Sequence, residues 1–319
     1  MFHKKRLWVG VYGLLLILFT LYVLLDTFVI TRVYSVLPEE LPQGADAFQQ
    51  ADSPAQAPSQ MEQEDSSPSE EAVPNNAQEG LTYDDGNISI SIAEYRQLDT
   101  TIYVADVKLS SAKYLQTALA QNAYGRNVTE TTSEIAEQHN AILAVNGDYY
   151  GAQEQGYVLK NGVLYRETAA KDQEDLVIYE DGSFEIIQEM EISAQDLLAN
   201  GAQQILSFGP ALIEDGEIAV TGEEEVGRAK ASNPRTAIGI VEDLHYLFVV
   251  SDGRTAESAG LSLYQLAEFL QSLGAKTAYN LDGGGSSTMV FEGQVINNPT
   301  TNGRTIRERS VSDIVYIGT

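Results

Sequence analysis

Cysteine is absent from this chain of 319 residues. Its absence excludes disulfide bonds, thiolate metal sites and cysteine nucleophiles in a single step. A folded domain in this chain must therefore be held together by its apolar core, and a domain of this size can bury enough surface to do so.

Basic residues are scarce as well. The chain has 19 Lys and Arg residues against 46 Asp and Glu residues, which gives a formal net charge of −27 at pH 7. A chain with this charge is repelled by nucleic acid and by anionic membrane surfaces. Neither is therefore expected as a ligand of the folded part.

The chain has only three histidines, which limits the pairs of nucleophile and base that it could build. His3 precedes an apolar run, His139 ends a predicted helix and His245 begins a predicted strand. The sequence also lacks the Gly-x-Ser-x-Gly elbow of serine hydrolases and a glycine-rich loop followed by lysine. A serine hydrolase and a P-loop nucleotide-binding protein are therefore not predicted.

The N-terminal region carries a long stretch without charge. Residues 1–6 are basic at their end, and Leu7 to Leu25 contains no charged residue. About 20 apolar residues span a bilayer as a helix, and basic residues before the span place the N-terminus in the cytoplasm. We predict that residues 1–36 form an uncleaved, single-pass transmembrane signal anchor, with a cleaved signal peptide as the alternative. In both cases the bulk of the chain lies outside the cytoplasm, and the uncleaved anchor would hold it at the cell membrane.

Residues 37–80 differ sharply in composition from the rest. Pro, Gln, Ser, Ala, Asp and Glu dominate this segment, and it contains no Lys or Arg. Low hydrophobicity with charge of one sign cannot bury enough surface to offset the entropy of ordering. We predict a disordered linker that holds the following domain away from the membrane.

Residues 81–319 have the pattern of an α+β domain, built on mixed β-sheets with a few packed helices. Strands outnumber helices, and the turn pairs Asn161-Gly162 and Asp181-Gly182 predict two hairpins. The predicted strands and hairpins include 87–95, 101–109, 158–165 and 176–187. The predicted helices are 131–139, 194–199 and 261–273.

The run Asn280-Leu-Asp-Gly-Gly-Gly-Ser-Ser287 follows a predicted strand and contains three consecutive glycines. Glycine costs backbone entropy on ordering, so such a run needs positive φ angles or a ligand against bare backbone. Asp282, the following N–H groups and the two serine hydroxyls would suit an oxygen-rich ligand. A tight turn into the next strand is the alternative.

Other polar side chains also lie where strands end or begin. Asp148 follows one predicted strand and Asp252, with Arg254, follows another, while Arg235 and Arg309 each precede a strand. Carboxylates, arginines and glycines at strand ends are a common way to build a site. Each of these residues taken singly is also compatible with a turn or a solvated surface.

Five blocks occur in order along the chain. They are Asn146-Gly-Asp-Tyr-Tyr150, Asn233-Pro-Arg-Thr-Ala-Ile-Gly239, Ser251-Asp-Gly-Arg254, Asn280-Leu-Asp-Gly-Gly-Gly-Ser-Ser287 and Glu308-Arg-Ser-Val-Ser312. Together they resemble the phosphodiester glycosidase domain family, over roughly 88–317. Members of that family include enzymes that remove N-acetylglucosamine from a sugar-1-phosphodiester and many bacterial exopolysaccharide- or cell-wall-associated proteins. Two positions depart from the family pattern: Ser310 stands where proline is frequent, and Asp148 where glycine is common.

The resemblance implies a hydrolase of the glycosidase type that acts on a sugar-1-phosphodiester in a cell-surface glycan, with an N-acetylhexosamine as the sugar. A carboxylate near the anomeric carbon would stabilise the oxocarbenium-like centre, and the candidates are Asp282, Asp252 and Asp148. Arginines would hold the phosphodiester charge through paired N–H donors. The predicted substrate-binding residues are Arg235, Arg254, Arg309, Asn146, Asn280, Gly283, Gly284, Gly285, Ser286 and Ser287. Alternatively, Asn146 and Asn280 cap the turns at the ends of their strands.

Two alternatives stay open. The oxygen-bearing side chains Asn146, Asp148, Asp252 and Asp282 are of the kind that calcium prefers, so a divalent cation is a candidate cofactor, although no known loop spacing supports it. A non-catalytic envelope module that binds anionic wall or exopolysaccharide glycans would also suit an anchored domain on a tether. Under either hypothesis the partner is a cell-surface glycan or sugar phosphate.

Overall fold

The computed structural model describes residues 2–36, 80–220 and 232–319. The predicted linker lies outside the described residues except for Gly80. Four α-helices are present in the described part, namely α1 (Phe2–Phe28), α2 (Thr132–Gln138), α3 (Ala194–Ala199) and α4 (Leu263–Ser272). The last three confirm the helices predicted from the sequence.

Strands dominate the described part of the chain. They are β1 (Arg32–Val36), β2 (Thr82–Asp84), β3 (Ile88–Gln97), β4 (Thr100–Leu109), β5 (Leu115–Leu119), β6 (Ala123–Arg126), β7 (Leu143–Asn146), β8 (Val158–Lys160), β9 (Val163–Arg166), β10 (Glu174–Tyr179), β11 (Phe184–Gln188), β12 (Ala202–Leu206), β13 (Ala211–Glu214), β14 (Glu217–Ile218), β15 (Arg235–Glu242), β16 (His245–Ser251), β17 (Thr277–Leu281), β18 (Met289–Phe291), β19 (Gln294–Val295) and β20 (Asp313–Ile317). Their number beside a few helices confirms the predicted α+β class.

The strands form three larger sheets and one two-stranded ribbon. The eight-stranded sheet has the order β14-β13-β17-β15-β16-β4-β3-β2, and the two five-stranded sheets have the orders β19-β18-β7-β20-β5 and β11-β10-β12-β8-β9. The ribbon pairs β1 with β6. The predicted hairpins at Asn161-Gly162 and Asp181-Gly182 are confirmed as the β8–β9 and β10–β11 connections.

Apolar side chains cover both faces of the eight-stranded sheet, because successive residues of a strand point to opposite sides. Along β16, Tyr246, Phe248 and Val250 belong to one core, which also contains residues of both five-stranded sheets. Leu247 and Val249 belong to a second core on the other face. The sheet is therefore buried on both sides.

The helix α4 covers the second core. It begins at Ser262, which forms a capping box with Gln265, and so satisfies donors that the first turn would otherwise leave free. Its buried side chains, including Leu266 and Leu270, recur at the helical period and pack on that core. The amphipathic pattern in the sequence predicted this placement.

The N-terminal helix α1 leads into β1, which pairs with β6 and so ties this part of the chain to the folded domain. Across the described ranges, no helix combines the length and apolar character needed to cross a membrane. The predicted transmembrane anchor is thus not shown by the structure.

The topology brings several strand ends together. β15 lies between β16 and β17 and pairs with both in antiparallel fashion. In this register Arg235 lies opposite Ser251 of β16, and Thr236 lies opposite Leu281 of β17. In the neighbouring sheet, β7 ends at the point where β20 begins. The two sheets meet here, because Thr236 Oγ1 donates to Asn146 Oδ1 at 2.8 Å.

Candidate active site

Asp282 follows β17 directly, and two neighbours hold its carboxylate. Arg309 Nη2 contacts Asp282 Oδ2 at 2.5 Å, and Ser286 Oγ donates to the same oxygen at 2.7 Å. Arg309 Nε also donates to Ser286 Oγ at 2.8 Å. We call Asp282, Ser286 and Arg309 the cleft cluster. Among the described residues, none forms a hydrogen bond with Asp282 Oδ1, so this oxygen is the one available to a ligand.

The loop after β7 fixes the backbone of Asp282. Asp282 N donates to Gly147 O at 3.1 Å, and Asn146 Nδ2 donates to Asp282 O at 2.6 Å. Asn146 Oδ1 accepts from Thr236 Oγ1 and from Thr288 N. Asn146 is fully buried, so its amide braces three segments instead of facing a sugar. The geometry therefore supports the structural reading of Asn146.

Asn280 and Ser287 are buried beside the same strand end. Asn280 Nδ2 donates to Gly209 O at 2.7 Å. Within the described ranges, Asn280 Oδ1 and Ser287 Oγ have no hydrogen-bond partner despite their burial. Neither residue lines the cleft described below, so their predicted contact with substrate stays a prediction.

The three glycines pack closely against neighbouring loops. A Cβ on Gly284 would lie 2.9 Å from Arg254 Nη2, and a Cβ on Gly285 would lie 2.3 Å from Thr301 Oγ1. Gly284 also has a φ of +65°, a conformation that other residues rarely adopt. Gly284 and Gly285 are buried and Gly283 is half-buried. Close packing is therefore sufficient to explain the run, and the contact of its amides with phosphate stays a prediction.

A cleft of about 250 Å³ opens beside Asp282. Of the predicted site residues, Asp148, Asp282 and Arg309 line it. Arg126 and Tyr149 line it too and were missed by the sequence analysis. The other lining residues are Thr27, Asn127, Thr129, Gly151, Ala152, Ser310, Val311 and Ser312. We call this space the catalytic cleft, since it contains two carboxylates and two arginines.

Partly exposed arginine side chains and an exposed tyrosine ring line this cleft. The Arg309 side chain is 41% exposed, so its remaining N–H groups can meet a ligand. Arg126 pairs with the exposed Glu154 at 3.3 Å, a contact that solvent weakens. Tyr149 is 45% exposed and also lines the cleft. The cleft therefore combines the Asp282 carboxylate, one oxygen of which has no hydrogen bond among the described residues, with cations suited to an anionic group.

Asp148 forms an ion pair with the buried side chain of Lys160. Lys160 Nζ lies 3.1 Å from Asp148 Oδ2 and 2.6 Å from Asp313 Oδ2, and all three side chains are at most 2% exposed. Asp313 Oδ1 accepts from Asp148 N at 2.9 Å. We call Lys160, Asp148 and Asp313 the buried triad. It joins the strand β8 of one five-stranded sheet to the strand β20 of the other.

The remaining acceptor positions of Asp148 are also occupied. Its Oδ1 accepts from Tyr150 N at 2.9 Å, and its Oδ2 accepts from Ser207 N at 3.2 Å. A carboxylate with this many partners is an anchor for the loop 146–150, which in turn positions Asp282. The geometry thus favours Asp282 over Asp148 as the carboxylate that meets substrate.

The buried triad contains two acids and one base, and this imbalance affects proton binding. Burial and the charge of Asp148 raise the pKa of Asp313 to about 7, although Lys160 opposes the shift. Burial lowers the pKa of Lys160, but the two aspartates outweigh it and the net direction is upward. Burial also raises the pKa of the nearby Asp175, which shares Ser207 Oγ with Glu189.

Asp252 has a different environment from Asp282. Its Oδ1 accepts from Asn297 Nδ2 at 3.1 Å and from Asn298 N at 2.8 Å, while its Oδ2 accepts from Asn298 Nδ2 at 2.9 Å. Asp252 is not among the described residues that line the catalytic cleft. The sequence analysis treated Asp252 and Asp282 alike, whereas the structure gives Asp252 the contacts of a loop anchor.

Arg235 and Arg254 also lie outside the lining of the catalytic cleft as far as the structure describes the chain. Arg235 is buried, and its Nε donates to Leu261 O at 3.0 Å. Arg254 donates to Asn233 Oδ1 and, at 2.8 Å, to Thr301 O. Of the three predicted arginines, the structure therefore brings only Arg309 into the cleft.

No group of three or more His, Asp or Glu side chains in the described ranges is arranged to hold a metal ion. The four side chains proposed as calcium ligands have separate partners. Asn146 bonds to backbone, Asp148 to Lys160, Asp252 to asparagine amides and Asp282 to Arg309. They do not converge on one point, so the calcium hypothesis gains no support from the geometry.

The sequence of residues 139–318, more than half of the chain, matches the family described as phosphodiester glycosidase. The chain belongs to this family. The match covers all five blocks quoted above and confirms the resemblance drawn from them. It also contains the whole of the cleft cluster and the buried triad.

The chain is also similar to curated proteins of Mus musculus and Bacillus subtilis. The chain is 28% identical over 187 residues to the N-acetylglucosamine-1-phosphodiester alpha-N-acetylglucosaminidase of Mus musculus. This alignment covers 53% of this chain and 35% of the relative. It is 29% identical over 180 residues to the SPbeta prophage-derived uncharacterized protein YomE of Bacillus subtilis, covering 55% of this chain and 28% of the relative. The matched stretch therefore spans about a third of these curated relatives.

Solved structures share the fold. The catalytic domain of zebrafish N-acetylglucosamine-1-phosphodiester alpha-N-acetylglucosaminidase, auto-inhibited by its pro-peptide, superposes with a TM-score of 0.59 at 21% identity, over 76% of this chain and 88% of that one. A hypothetical protein from Synechocystis superposes with a TM-score of 0.53 at 15% identity, over 72% and 62% of the two chains. At these identities the likeness concerns the fold alone.

Lys160, Asp313 and Arg126 are site residues that the sequence analysis missed. Lys160 ends an apolar strand just before the Asn161-Gly162 turn, and Asp313 begins the otherwise apolar strand β20. A charge at the end of a buried strand is a usable signal, because a buried charge needs a partner. Arg126 carried no comparable signal, since an arginine after a short strand is ordinarily solvated.

Proposed function

We propose that this chain is a hydrolase that cleaves the glycosidic bond of a sugar-1-phosphodiester. The observation that carries the proposal is the Asp282 carboxylate, which is bonded to Arg309 and Ser286 and lines a cleft with Arg309. Membership of the phosphodiester glycosidase family supports the same reaction. The activity in the printed name of the mouse relative supports an N-acetylhexosamine as the sugar.

In the proposed reaction, the oxygen of water forms a bond to the anomeric carbon. The bond between that carbon and the phosphate oxygen breaks, and its electron pair leaves with the phosphate monoester. One proton of water passes to the released phosphate monoester, and the other stays on the new sugar hydroxyl. A phosphodiester is a good leaving group, so the protein needs no strong general acid, and its task is to stabilise an oxocarbenium-like centre.

The residues of the cleft cluster divide this task. Asp282 Oδ1, which the described residues leave without a hydrogen bond, faces the positive charge that develops at the anomeric carbon. Arg309 uses Nε for Ser286 and Nη2 for Asp282, and its Nη1 donors remain for the phosphate. Ser286 bridges the two and fixes their spacing. Arg126 adds a second positive charge in the same cleft.

The location of the reaction is a further part of the proposal. The charge-free run Leu7 to Leu25 behind a basic tip supports a membrane-anchored, extracytoplasmic enzyme that acts on a cell-surface glycan. The full-length chain is expected to sediment with membranes, and added protease is expected to digest residues 81–319 in intact cells. Recovery of the whole chain in the soluble cytoplasmic fraction would contradict this part.

The reaction is tested with the full-length protein and an N-acetylglucosamine 1-phosphodiester in water enriched in ¹⁸O. Cleavage of the glycosidic bond places the label in the free sugar, whereas a phosphodiesterase would place it in the phosphate. Proton NMR of the first-formed anomer then reports retention or inversion. Label found only in the phosphate would overturn the proposed bond cleavage.

The variant Asp282→Asn serves as the matched control in this assay. It keeps the size and most contacts of the side chain, and it removes the negative charge that the transition state needs. We expect no sugar release above background. If wild type and variant are both inactive and bind an anionic glycan equally, the non-catalytic envelope module is the better description.

A further inference from the structure

The end of α1 forms part of the wall of the catalytic cleft. Thr27, in the last turn of this helix, lines the cleft together with Arg126. The residue after Arg126 holds the helix end in place, because Asn127 Nδ2 donates to Thr27 O at 3.3 Å and to Ile30 O at 3.1 Å. Thr31 Oγ1 donates in turn to Asn127 O at 3.3 Å. The helix and the cleft therefore meet at a defined position.

The strand β1 keeps the helix and the folded domain together. The connection from α1 to β1 is short, and β1 pairs antiparallel with β6, with Arg32 opposite Arg126. Arg32 also forms an ion pair with Asp26 of α1. Because β1 precedes residues 37–80, the pairing joins the domain to the helix without that segment in between. Both strands lie outside residues 139–318, so the family match does not include this arrangement.

The side chains of α1 are apolar and exposed. Residues 14–18 are leucine and isoleucine, and each of them is more than half exposed. Five consecutive residues cover more than one helical turn, so the helix is apolar and uncovered on every side. A continuous exposed apolar surface of this kind requires an apolar partner. The run Leu7 to Leu25 is about 28 Å long, close to the thickness of about 30 Å of the hydrocarbon core of a bilayer.

Exposed aromatic side chains lie near both ends of this apolar run. Trp8 is near its beginning, and Tyr34 of β1 follows its end. Tyr149, which lines the catalytic cleft beside Thr27, is exposed as well. Tryptophan and tyrosine are enriched at both membrane–water interfaces, where their apolar rings and polar tips have suitable surroundings. The side of the domain next to the helix end thus has the side chains of a membrane-facing surface.

The negative charge of the chain is not concentrated on this side of the domain. A space of about 230 Å³ beside β1 adjoins the catalytic cleft and shares Arg126 with it. Every carboxylate that lines either space has a basic partner, in the pairs Asp282–Arg309, Asp148–Lys160 and Glu154–Arg126. Arg166 lines the smaller space, and no carboxylate among the described residues pairs with it. Anionic headgroups are therefore not repelled here as they are by the chain as a whole.

We propose that α1 holds the catalytic cleft against the lipid headgroup layer, and that the substrate is a sugar-1-phosphate esterified to a membrane lipid. This inference rests on the proposed function and its membrane location, and it names the substrate class. Asp26 is the first charged residue after the apolar run, so Asp26 and Thr27 lie in the headgroup layer, which is about 5–7 Å deep on each side. At that depth the scissile phosphodiester is the headgroup of the lipid itself. Hydrolysis frees the sugar and leaves the lipid phosphate monoester in the membrane.

The orientation is tested by fluorescence quenching, because the absence of cysteine allows a single label at a chosen position. The full-length protein carries the fluorophore at Gln153→Cys, beside β1, or at Asp243→Cys, in the exposed β15–β16 turn. Asp243 is about 25 Å from Arg235 at the other end of β15. In phosphatidylcholine vesicles with nitroxide-labelled headgroups, we expect severalfold stronger quenching at Gln153→Cys. Equal quenching at the two positions, or stronger quenching at Asp243→Cys, would overturn the orientation.

The substrate class is tested with two esters of N-acetylglucosamine 1-phosphate. The alcohol is methanol in one ester and a dialkylglycerol in the other, which stays in the vesicle where it is placed. The lipid ester is put either into the vesicles that hold the full-length protein or into separate vesicles. A shared membrane raises the effective concentration of the lipid ester at the cleft, so we expect sugar release at least about a hundredfold faster there. Equal rates with shared and separate vesicles would show that the cleft faces away from the membrane.

Insertions separate the role of the helix from a general effect on the enzyme. About ten Gly and Ser residues inserted after Ile30 would let the domain move about 17 Å from the helix. The ratio of the rates with shared and separate vesicles should then fall at least about tenfold. The matched control has the same insertion after Gln60, which follows β1 in sequence, and should keep the wild-type ratio. An unchanged ratio after the first insertion, or an equal fall in the control, counts against the proposal.

Failure of this inference can be distinguished from failure of the proposed reaction. If neither ester is cleaved, the proposed reaction is wrong, and the quenching experiment still decides the orientation. If the methyl ester is cleaved and the lipid ester is not, even in shared vesicles, the reaction stands and the lipid substrate is wrong. A substrate in the surrounding glycan, away from the membrane, is then the better description.

Discussion

The cleft cluster and the buried triad are two ion-paired groups of the same chemistry in different surroundings. In the cleft cluster, Asp282 pairs with Arg309, whose side chain is 41% exposed. In the buried triad, Asp148 pairs with Lys160, whose side chain is 2% exposed. Both aspartates line the catalytic cleft. The difference is that the first pair retains donors and an acceptor for a ligand, while the second uses them within the protein.

Burial explains why the two groups serve different purposes. A charge removed from water must be compensated by its partner, so Lys160 cannot be separated from its aspartates without a large penalty. The contacts of the half-exposed Arg309 with Ser286 and Asp282 use Nε and Nη2, so Nη1 can bind a phosphate while both contacts persist. The cleft cluster is thus suited to chemistry and the buried triad to fixing the loop that carries it.

The largest effect is expected from Asp282→Asn, compared with Asp252→Asn at the neighbouring strand end. Loss of the charge at Asp282 should lower kcat/KM at least about a hundredfold, with little change in the free energy of unfolding. At Asp252 an amide would face the donors of Asn297 and Asn298, so we expect a loss of about 1–3 kcal/mol of stability and nearly wild-type activity. Steady-state kinetics and urea unfolding measure both. Equal loss of activity would place Asp252 in the chemistry.

The next effect concerns the buried triad. Lys160→Met keeps the length of the side chain and leaves two buried carboxylates without their cation. The free energy of unfolding should fall by about 3–5 kcal/mol, as measured by urea denaturation. The control is Lys171→Met, since Lys171 is 85% exposed and its pairing with Asp172 is loose. A loss below about 1 kcal/mol in Lys160→Met would show that the triad is not the anchor described here.

A smaller effect is expected when the cleft cluster keeps its charge and loses its geometry. Arg309→Lys preserves one positive charge but cannot contact Ser286 and Asp282 together as the planar guanidinium does. We expect kcat/KM to fall about tenfold, with stability unchanged within about 0.5 kcal/mol. Arg254→Lys, which affects backbone contacts outside the cleft, should show the reverse order of effects. Unchanged kinetics in Arg309→Lys would argue that only charge matters there.

The last effect is a change in the pH dependence of stability. Because the pKa of Asp313 is raised to about 7 by burial and Asp148, the folded protein keeps a proton that the unfolded chain releases near pH 4. The free energy of unfolding should therefore fall as pH rises from about 4 to about 7. Asp313→Asn removes this proton and leaves a balanced pair of Lys160 and Asp148, so the fall should become shallower, with Asp175 contributing the remainder. An unchanged slope in urea unfolding across this range would contradict the raised pKa.

Much of the fold could be predicted from local patterns. The capping box at Thr131 marked the start of α2, the apolar periodicity of residues 261–273 marked α4, and the turn pairs at Asn161 and Asp181 marked two hairpins. These patterns depend on residues close in sequence, so they can be recognised before the arrangement of the sheets is known. The order of strands could not be obtained this way, because β4 pairs with β16 across more than a hundred residues.

The candidate site was predicted in part. Asp282, Ser286 and Arg309 were named from the motif blocks, and the structure joins them in one cluster. Asn146 was named as well, but burial gives it a structural role that its sequence context left open. Arg254 shows the same limit, since only the loop 299–310 packed beside it reveals that its donors are already used.

The sequence by itself determined the elements of this protein, its acidic and cysteine-free character, and its membership of the phosphodiester glycosidase family. Those properties follow from composition, local periodicity and short motifs, which are complete before the chain folds. The tertiary structure alone decided which of three aspartates pairs with an arginine in the cleft and which is paired with the buried Lys160. That choice depends on burial and on partners distant in sequence, and these are set only when the sheets meet.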